Sequence, residues 1–458
     1  MTEEDRERVL AIEKLRALIE AGVGKKSLMS EFELEAEEQK QALGQRLMDE
    51  KIAALKPENG RPKPCPLCGK SSKRRAKEVA RTFRSMSGEH TFKRDYYYCE
   101  RCTKGFYPRD AFLGLPETGA ETIELERRMA DFAINDTYDL ASERWNMHYP
   151  LKTSANQFRQ VVKRLGEKME RAAKNPTLMH ATIKPPQSQA TQTLYVMNDG
   201  GMVPMRSEWR ECKLAIVFRS EKHVKGDSVL RGKISDARYI AVLGEQPEFQ
   251  AELQQSLFIE EAMKAHRVVW VADGAKGNWN LASVLAPTAT QILDWHHAIQ
   301  HATDCFKAMY GESANDCFQV WKETVEQLLM KDVGEVLTQL KECLHDNLLT
   351  SPQREALEAL IGYYESNHHR MQYSQYLNDG LLIGSGPVES AHRHVIQARM
   401  KRSGQHWGNA GARQMARLRA AYKTTGPQRF YDAIHWAGRY GPVIKKLPMF
   451  EKRRASNR

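Results

Sequence analysis

The 458-residue chain has no run of the ~18 apolar residues that a membrane-spanning helix needs, which argues against a helical membrane protein. Its first residues, MTEEDRERVL, have neither the basic region nor the apolar stretch of a secretory leader. A cytoplasmic protein that meets no membrane is therefore expected. Cysteine is scarce, with 8 residues in all, so a secreted disulfide framework is excluded and a reducing compartment fits better. There is no internal repeat and no low-complexity tract. The sequence AGVGKKS (21–27) is no phosphate-binding loop: the motif's first glycine would fall on Ile19, and Lys26 stands where a hydroxyl residue is needed.

What is present is ordinary globular composition, 41% hydrophobic and 28% charged, in a chain long enough for two to four domains. The net charge of +11 is unevenly spread. Residues 61–110 carry +9 and residues 391–458 carry +14, the latter with only 2 acidic side chains. Residues 1–60 carry −4 and the middle of the chain −8. Two basic blocks around an acidic centre suit a polyanion held at two places about a carboxylate-rich site, and equally suit two solvated surfaces.

The periodicity divides the chain. Residues 1–60 form an N-terminal helical region, with Leu10, Ile12, Leu15, Leu18 and Ile19 on roughly one face. After the linker KPENGRPKP (56–64) comes a cysteine module at 61–112. Helical segments follow at about 119–133, 136–146 and 154–172, making a unit at 116–172. Its third helix places Phe158, Val161, Val162 and Leu165 inward at i, i+3, i+4 and i+7. A polar, proline-bearing linker spans 173–190. Short β-type runs then appear at 193–199, 213–219 and 237–243, a helix follows, and two more runs lie at 267–273 and 289–295. That order predicts an α/β or α+β layer with one mixed sheet. Residues 297–378 are helical in pattern throughout, and the loop LIGSGP (382–387) precedes a last long helix rich in arginine.

Cys65, Cys68, Cys99 and Cys102 form CxxC-x30-CxxC. Each knuckle can offer two thiolates from one tight turn, and two knuckles joined by a β-hairpin make a zinc ribbon. Four thiolates leave no open position, so the role of Zn²⁺ would be structural. The 116–172 unit reads as a helix-turn-helix, with Asn156, Gln157, Arg159, Gln160 and Lys163 facing base edges, or as a plain helical bundle. Lys401 and Arg402, with Arg413, Arg417 and Arg419, would be phosphate contacts or solvated charges.

Asp199 ends the first β-run before Gly200-Gly201, and Asp273 ends the fourth before Gly274. Strand-end carboxylates lie where such sheets bind ligands, although one alone is commonly a turn residue. Glu389 falls in the first turn of a helix starting near Pro387. Three converging carboxylates can hold two Mg²⁺ (or Mn²⁺) ions for in-line attack on a phosphodiester. His297 and His301 lie at i, i+4 without a supporting third ligand, so a packed histidine is the simpler reading.

Four blocks carry a resemblance: DGGMVPM (199–205), VADGAKGNWN (271–280), DWHHAIQH (294–301) and IGSGPVESAHRHVIQARMKRSGQHW (383–407). They resemble the DDE transposases of bacterial insertion sequences, nearest the Kra-type family of the Mutator-like group, over roughly residues 61–425. The resemblance implies a multidomain α+β protein. A zinc ribbon and a helix-turn-helix would precede an RNase H-like mixed α/β core with an all-helical insertion. The core would take 191–300 and 381–425, the insertion 301–380, and a basic arm 426–458. Asp199, Asp273 and Glu389 would be the catalytic metal ligands. Asp294 and His297 match a C/D-x-x-H signature and would support them from behind. Gly277-Asn278-Trp279 departs from the aromatic expected after ADGAK. The implied activity is DNA transposition: binding double-stranded element ends as a homo-oligomer on DNA, then cleaving and joining strands. A repurposed, inactive DNA-binding protein and another RNase H-like nuclease are the alternatives.

Overall fold

A computed structural model describes residues 3–22, 27–56, 58–116, 119–174, 179–180, 183–184, 191–225, 232–311 and 315–439. The linker at 173–190 and the basic arm therefore lie mostly outside the described residues. The chain divides into two compact units, one of Met1–Phe132 with Tyr138–Phe158, the other of Ala133–Thr137 with Arg159–Arg458.

The first unit begins with helices α1 (Glu3–Gly22) and α2 (Leu28–Ala53). The apolar face expected in α1 forms, but Leu10, Ile12, Leu15 and Ile19 remain exposed. Strands β1 (Lys63–Pro64), β2 (Ser71–Ser85), β3 (Gly88–Cys99) and β4 (Lys104–Phe106) make an antiparallel sheet in sequence order. The hairpin β2–β3 is far longer than the β-run expected at 91–98, and its inner face buries Phe83, Phe92 and Tyr97. After α3 (Pro108–Phe112) come α4 (Ile123–Asn135), α5 (Tyr138–His148) and α6 (Ala155–Ala173), within a few residues of the expected helices. Trp145, fully buried, meets Phe132 and Phe158 edge-on and donates its indole N–H to Leu151 O at 2.7 Å. Arg84 of β2 donates to Lys152 O at 2.6 Å, which ties the hairpin to the α5–α6 turn.

The second unit is built on strands β5 (Thr193–Pro204), β6 (Trp209–Arg219) and β9 (Arg238–Val242), with the small hairpin β7 (His223–Lys225) and β8 (Gly232–Ile234) between. Helix α7 (Gln246–Ile259) leads to β10 (Arg267–Ala272), and α8 (Lys276–Leu285) to β11 (Thr290–Leu293). The sheet order is β11-β10-β5-β6-β9. β6 is antiparallel to both its neighbours, while β5, β10 and β11 run parallel. Val269, Trp270, Val271 and Ala272 are all buried, the near-continuous apolar run of a strand covered on both faces. The mixed sheet is as expected.

Helices α9 (Trp295–Tyr310), α10 (Asn315–Lys331), α11 (Val333–Cys343), α12 (Ser351–Asn367) and α13 (Tyr373–Asn378) follow, with no strand among the described residues of that stretch. The long terminal helix is not continuous. It comprises α14 (Gly386–Ala391), a widened π-turn over His392–Gln397, α15 (Ala398–Met400), a loop, then α16 (Asn409–Thr425) and α17 (Pro427–Arg439). No described helix is long and apolar enough to cross a membrane.

The arginines of α16 correct the sequence reading. Arg417 is 4% exposed and donates to Glu252 at 2.6 Å and to Glu248 at 2.5 Å. Arg413 also donates to Glu248, at 3.0 Å. Arg419, 2% exposed, serves the carbonyls of Val395, His394 and Ile134. Arg417 and Arg419 are inside because α7 presents two carboxylates and the π-turn presents spare carbonyls, while Arg413 is half-exposed. Arg417→Ala should therefore destabilise the second unit by about 3–5 kcal/mol, because it strands a buried Glu252. Urea unfolding followed by tryptophan fluorescence reads this, and an unchanged midpoint would return Arg417 to the solvated class.

Candidate functional site

Parallel pairing brings the two aspartates together. Met197 of β5 stands opposite Val271 of β10, and two residues further on each strand lie Asp199 and Asp273. At the usual inter-strand spacing of ~4.8 Å they are direct neighbours at the sheet edge. Asp199 does not end its strand as expected. β5 runs on to Pro204 against β6, with Asp199 opposite Leu214, and only its pairing with β10 stops at Met197.

Each carboxylate is held by one oxygen. Asp199 Oδ1 accepts from Gly200 N at 2.7 Å. Asp273 Oδ1 accepts from Ala275 N at 2.9 Å and from Asn278 Nδ2 at 2.8 Å. Asn278 in turn accepts from Asn198, whose oxygen accepts the Trp270 indole N–H at 2.8 Å. The departure at Gly277-Asn278-Trp279 is thus a support for Asp273, while Trp279 is buried and donates to Asn367 at 2.9 Å. Gly274, at φ +92°, turns the chain where a Cβ would meet Tyr363 Oη at 2.7 Å. That hydroxyl donates to Asp273 O at 2.7 Å. The Asp199 carboxyl is pushed above its ordinary range, chiefly by burial and further by the charge of Asp273, against the pull of the Gly200 N–H.

Asp294 follows β11 and caps α9. It is fully buried. Its Oδ2 accepts from His297 N at 3.1 Å and His297 Nδ1 at 2.6 Å, and its Oδ1 accepts from Ser385 N at 2.7 Å. Burial pushes this carboxyl up, but the His297 and Ser385 hydrogen bonds outweigh it and hold it below the usual range. His297 is raised, first by its bond to Asp294 and then by the charges of Asp294, Asp273 and Asp199, against its partial burial. His301 stacks on Tyr363 with centroids 3.8 Å apart, a packed histidine as the sequence reading favoured.

Glu389 is exposed on α14, which packs on β5 and β6. One residue escaped the sequence reading. His392, three positions after Glu389, is 4% exposed, and its Nε2 lies 3.5 Å from Asp199 Oδ2 without a hydrogen-bond partner. Burial lowers its pKa against the pull of Glu389 and Asp199. Its ring rests on Gly201, where a Cβ would come within 2.6 Å of Nδ1. The signal available in sequence was Glu-x-x-His on one helix face.

The four cysteines of the first unit converge, their sulfurs all within 4.8 Å of one another. They are the one such cluster among the described residues, and the four could hold Zn²⁺. The knuckles match. Cys65 N donates to Lys70 O at 2.8 Å and Gly69 N to Cys65 O at 2.9 Å. The residue after each second cysteine is left-handed, Gly69 at φ +71° and Thr103 at φ +52°. Leu67 N donates to Cys65 Sγ at 3.4 Å, and the Cys102 N–H draws the Cys99 thiol down to about 6, favouring a thiolate.

Of the expected DNA contacts, Asn156, Arg159 and Lys163 are exposed and Gln160 is half-buried. Gln157 is engaged in a cap, its Oε1 accepting from Ser154 N at 2.9 Å. Lys401 is exposed. Arg402 is turned inward, donating to Ala398 O and Asn135 O at 2.9 Å each, with Asp136 at 3.7 Å.

The chain belongs to the uncharacterised protein family UPF0236, which it matches over residues 71–436. It is similar to the UPF0236 protein in vanSb 3'region of Streptococcus gallolyticus, 21% identical over 343 residues, which cover 74% of this chain and 71% of that one. Among solved structures it is similar to a chain of the Drosophila P element transposase strand transfer complex. That match has 10% identity and a TM-score of 0.30, and covers 69% of this chain and 95% of that one.

Two predictions follow from this geometry. The protein should carry one Zn²⁺ per chain by elemental analysis, lost in Cys65→Ser or Cys99→Ser, with hydrogen-exchange protection lost over 63–106. Metal-free protein from zinc-supplemented expression would overturn this. His297 should titrate above the ordinary imidazole value of ~6.5 in NMR, and Asp294→Asn should lower it. The stability His297 gains from the pair is complete below ~6.5 and lost as pH rises through the raised value; that of Asp294 is present above ~3.9 and lost as pH falls through the lowered one. An unshifted His297 would break the pairing.

Proposed function

We propose that this chain is a DDE transposase of the Kra type, acting on the ends of its own insertion sequence. The observation that carries the reading is the pair Asp199 and Asp273 at one level of adjacent parallel strands, with the Glu389 helix packed on the strand of Asp199. The sheet order supports it. Renumbered from β5, it is 3-2-1-4-5 with only the second strand antiparallel to the rest, the arrangement an RNase H-like core requires. The helices between β11 and Glu389 match the expected insertion.

The donor set suits a hard divalent cation. All three groups are carboxylates, Asp273 leaves Oδ2 without a hydrogen bond from described residues, and the burial and nearby Asp273 charge that raise Asp199 would be offset by a cation. Asp199, Asp273 and Glu389 would hold Mg²⁺ or Mn²⁺, which when bound activates the attacking oxygen and stabilises the leaving one. The protein's own groups align the strand. In the first step water oxygen bonds to phosphorus and the bond to the 3′-oxygen breaks, leaving a 3′-hydroxyl. In the second, that hydroxyl attacks a target phosphodiester and displaces another 3′-oxygen. His297, half-exposed and with its pKa raised by Asp294 and further by Asp273 and Asp199, would hydrogen-bond a phosphate oxygen. Asp294 orients it and is a positioning residue.

The cysteine cluster would shape a zinc ribbon whose basic flanks meet the DNA backbone. Helix α6 would offer Asn156, Arg159, Gln160 and Lys163 to base edges, with Gln157 reduced to its amide N–H group. Work on both element ends at once calls for a homo-oligomer on DNA.

Asp199→Asn, Asp273→Asn and Glu389→Gln should each abolish cleavage and joining of element-end DNA while changing its binding by no more than about threefold, since they remove charge and keep shape. Gel assays of cleavage and joining, beside a binding titration, test this. Retained cleavage in any one variant removes that residue from the active site.

A further inference from the structure

We propose that Trp209, with Lys401 beside its ring, is a stacking site for an unpaired base of single-stranded DNA. Trp209 closes the β5–β6 hairpin opposite Pro204 and is 58% exposed. A single exposed apolar side chain is ordinary, but this one is mounted on a fixed frame. Met205 N donates to Glu208 O at 2.8 Å to close the turn. Arg206 N donates to Trp407 O at 3.0 Å, and Trp407 N to Pro204 O at 3.1 Å. Trp407 is itself buried and donates its indole N–H to Met400 O at 3.0 Å. The hairpin tip is thereby pinned to the 401–408 segment, and that brings Lys401 Nζ to 5.7 Å from the Trp209 ring centroid.

The cation at the ring is available. Lys401 is exposed, with no carboxylate partner among the described residues. Glu208, next to Trp209 in the chain, faces Arg210 at 3.8 Å. An exposed indole beside an unpaired cation fits a planar ring carrying a phosphate, and Arg206, exposed on the same turn, adds to the positive charge of the hairpin tip. Duplex DNA hides its base faces in the stack, so the occupant is a strand with an unpaired base. Stacking of that kind tolerates any base. This inference rests on the DNA-binding reading above and adds to it a preference for single-stranded DNA, at the tip of the hairpin whose first strand carries Asp199.

The test titrates the full-length protein with a fluorescein-labelled 20-nucleotide single strand, the same strand with abasic positions, and a 20-base-pair duplex of arbitrary sequence. Trp209→Ala should weaken single-strand binding about tenfold. Trp209→Phe should stay within about twofold, as every ring keeps a stacking face. Both should bind duplex like the parent, and the parent should bind the abasic strand about as weakly as Trp209→Ala binds the intact one. Single-strand affinity unchanged in Trp209→Ala, or equal losses in Trp209→Ala and Trp209→Phe, would overturn the stacking site and leave duplex binding standing. A parent protein that binds neither DNA would overturn the DNA reading itself.

Discussion

One buried carboxylate organises the second unit. Asp294 stands where β11 ends, and its two oxygens take three hydrogen bonds, two from His297 in the helix that follows and one from Ser385 far along the chain. Oδ2 starts α9 by capping His297, and Oδ1 grips Ser385 at the start of α14. The neighbouring Trp295 N donates to Ile383 O at 2.9 Å, so the chain leaves for its helical excursion and returns at the same point. The excursion can therefore be long without loosening the sheet. An unpaired carboxylate at zero exposure would be untenable, and its loss would free both ends at once.

The same logic explains the charge pattern. The sequence piles positive charge into its last 68 residues, which on a bare reading is a surface for polyanions. Much of it is consumed internally. Arg417 neutralises Glu252 and Glu248, Arg419 closes the carbonyls left open where the helix widens, and Arg402 reaches Asn135 O. Arginine suits this work because its planar fork serves several acceptors and keeps its charge. Among the described residues of this stretch, Arg393, Lys401 and Arg429 stay at the surface, and Lys401 lies beside an exposed ring.

Strands and helices were legible because β5, β10 and β11 bury apolar runs and α6 repeats them at helical spacing. The knuckles were legible from CxxC spacing alone, although the left-handed Thr103 carries no sequence signal that Gly69 does. Three things were hidden for a common reason, namely that they depend on partners remote in sequence. Asp199 sits within a strand because β6 extends beside it further than β10 does. The last helix breaks because Trp407 bridges to Met205. His392 is a site neighbour only because Gly201, some 190 positions earlier, leaves room for its ring. No local pattern encodes such pairings.

The contrast between Asp273 and Asp294 decides which acid can meet a ligand. The two are neighbours, since β10 and β11 pair as far as Ala272 with Leu293, and Asp294 N donates to Ala272 O at 2.9 Å. In sequence both end β-type runs, and only the residues after them, Gly274 and His297, set them apart. Asp294 is fully buried, its carboxylate fully subscribed and held below the ordinary range by hydrogen bonds from His297 and Ser385. It has no lone pair directed to solvent and would lose its fold-defining bonds by turning outward. Asp273 is half-buried and is fixed through one oxygen by Ala275 and Asn278, which sets its direction while leaving the other oxygen without a hydrogen bond from the described residues. A carboxylate that must bind reversibly has to be oriented without being used up. Of the two, only Asp273 meets that condition.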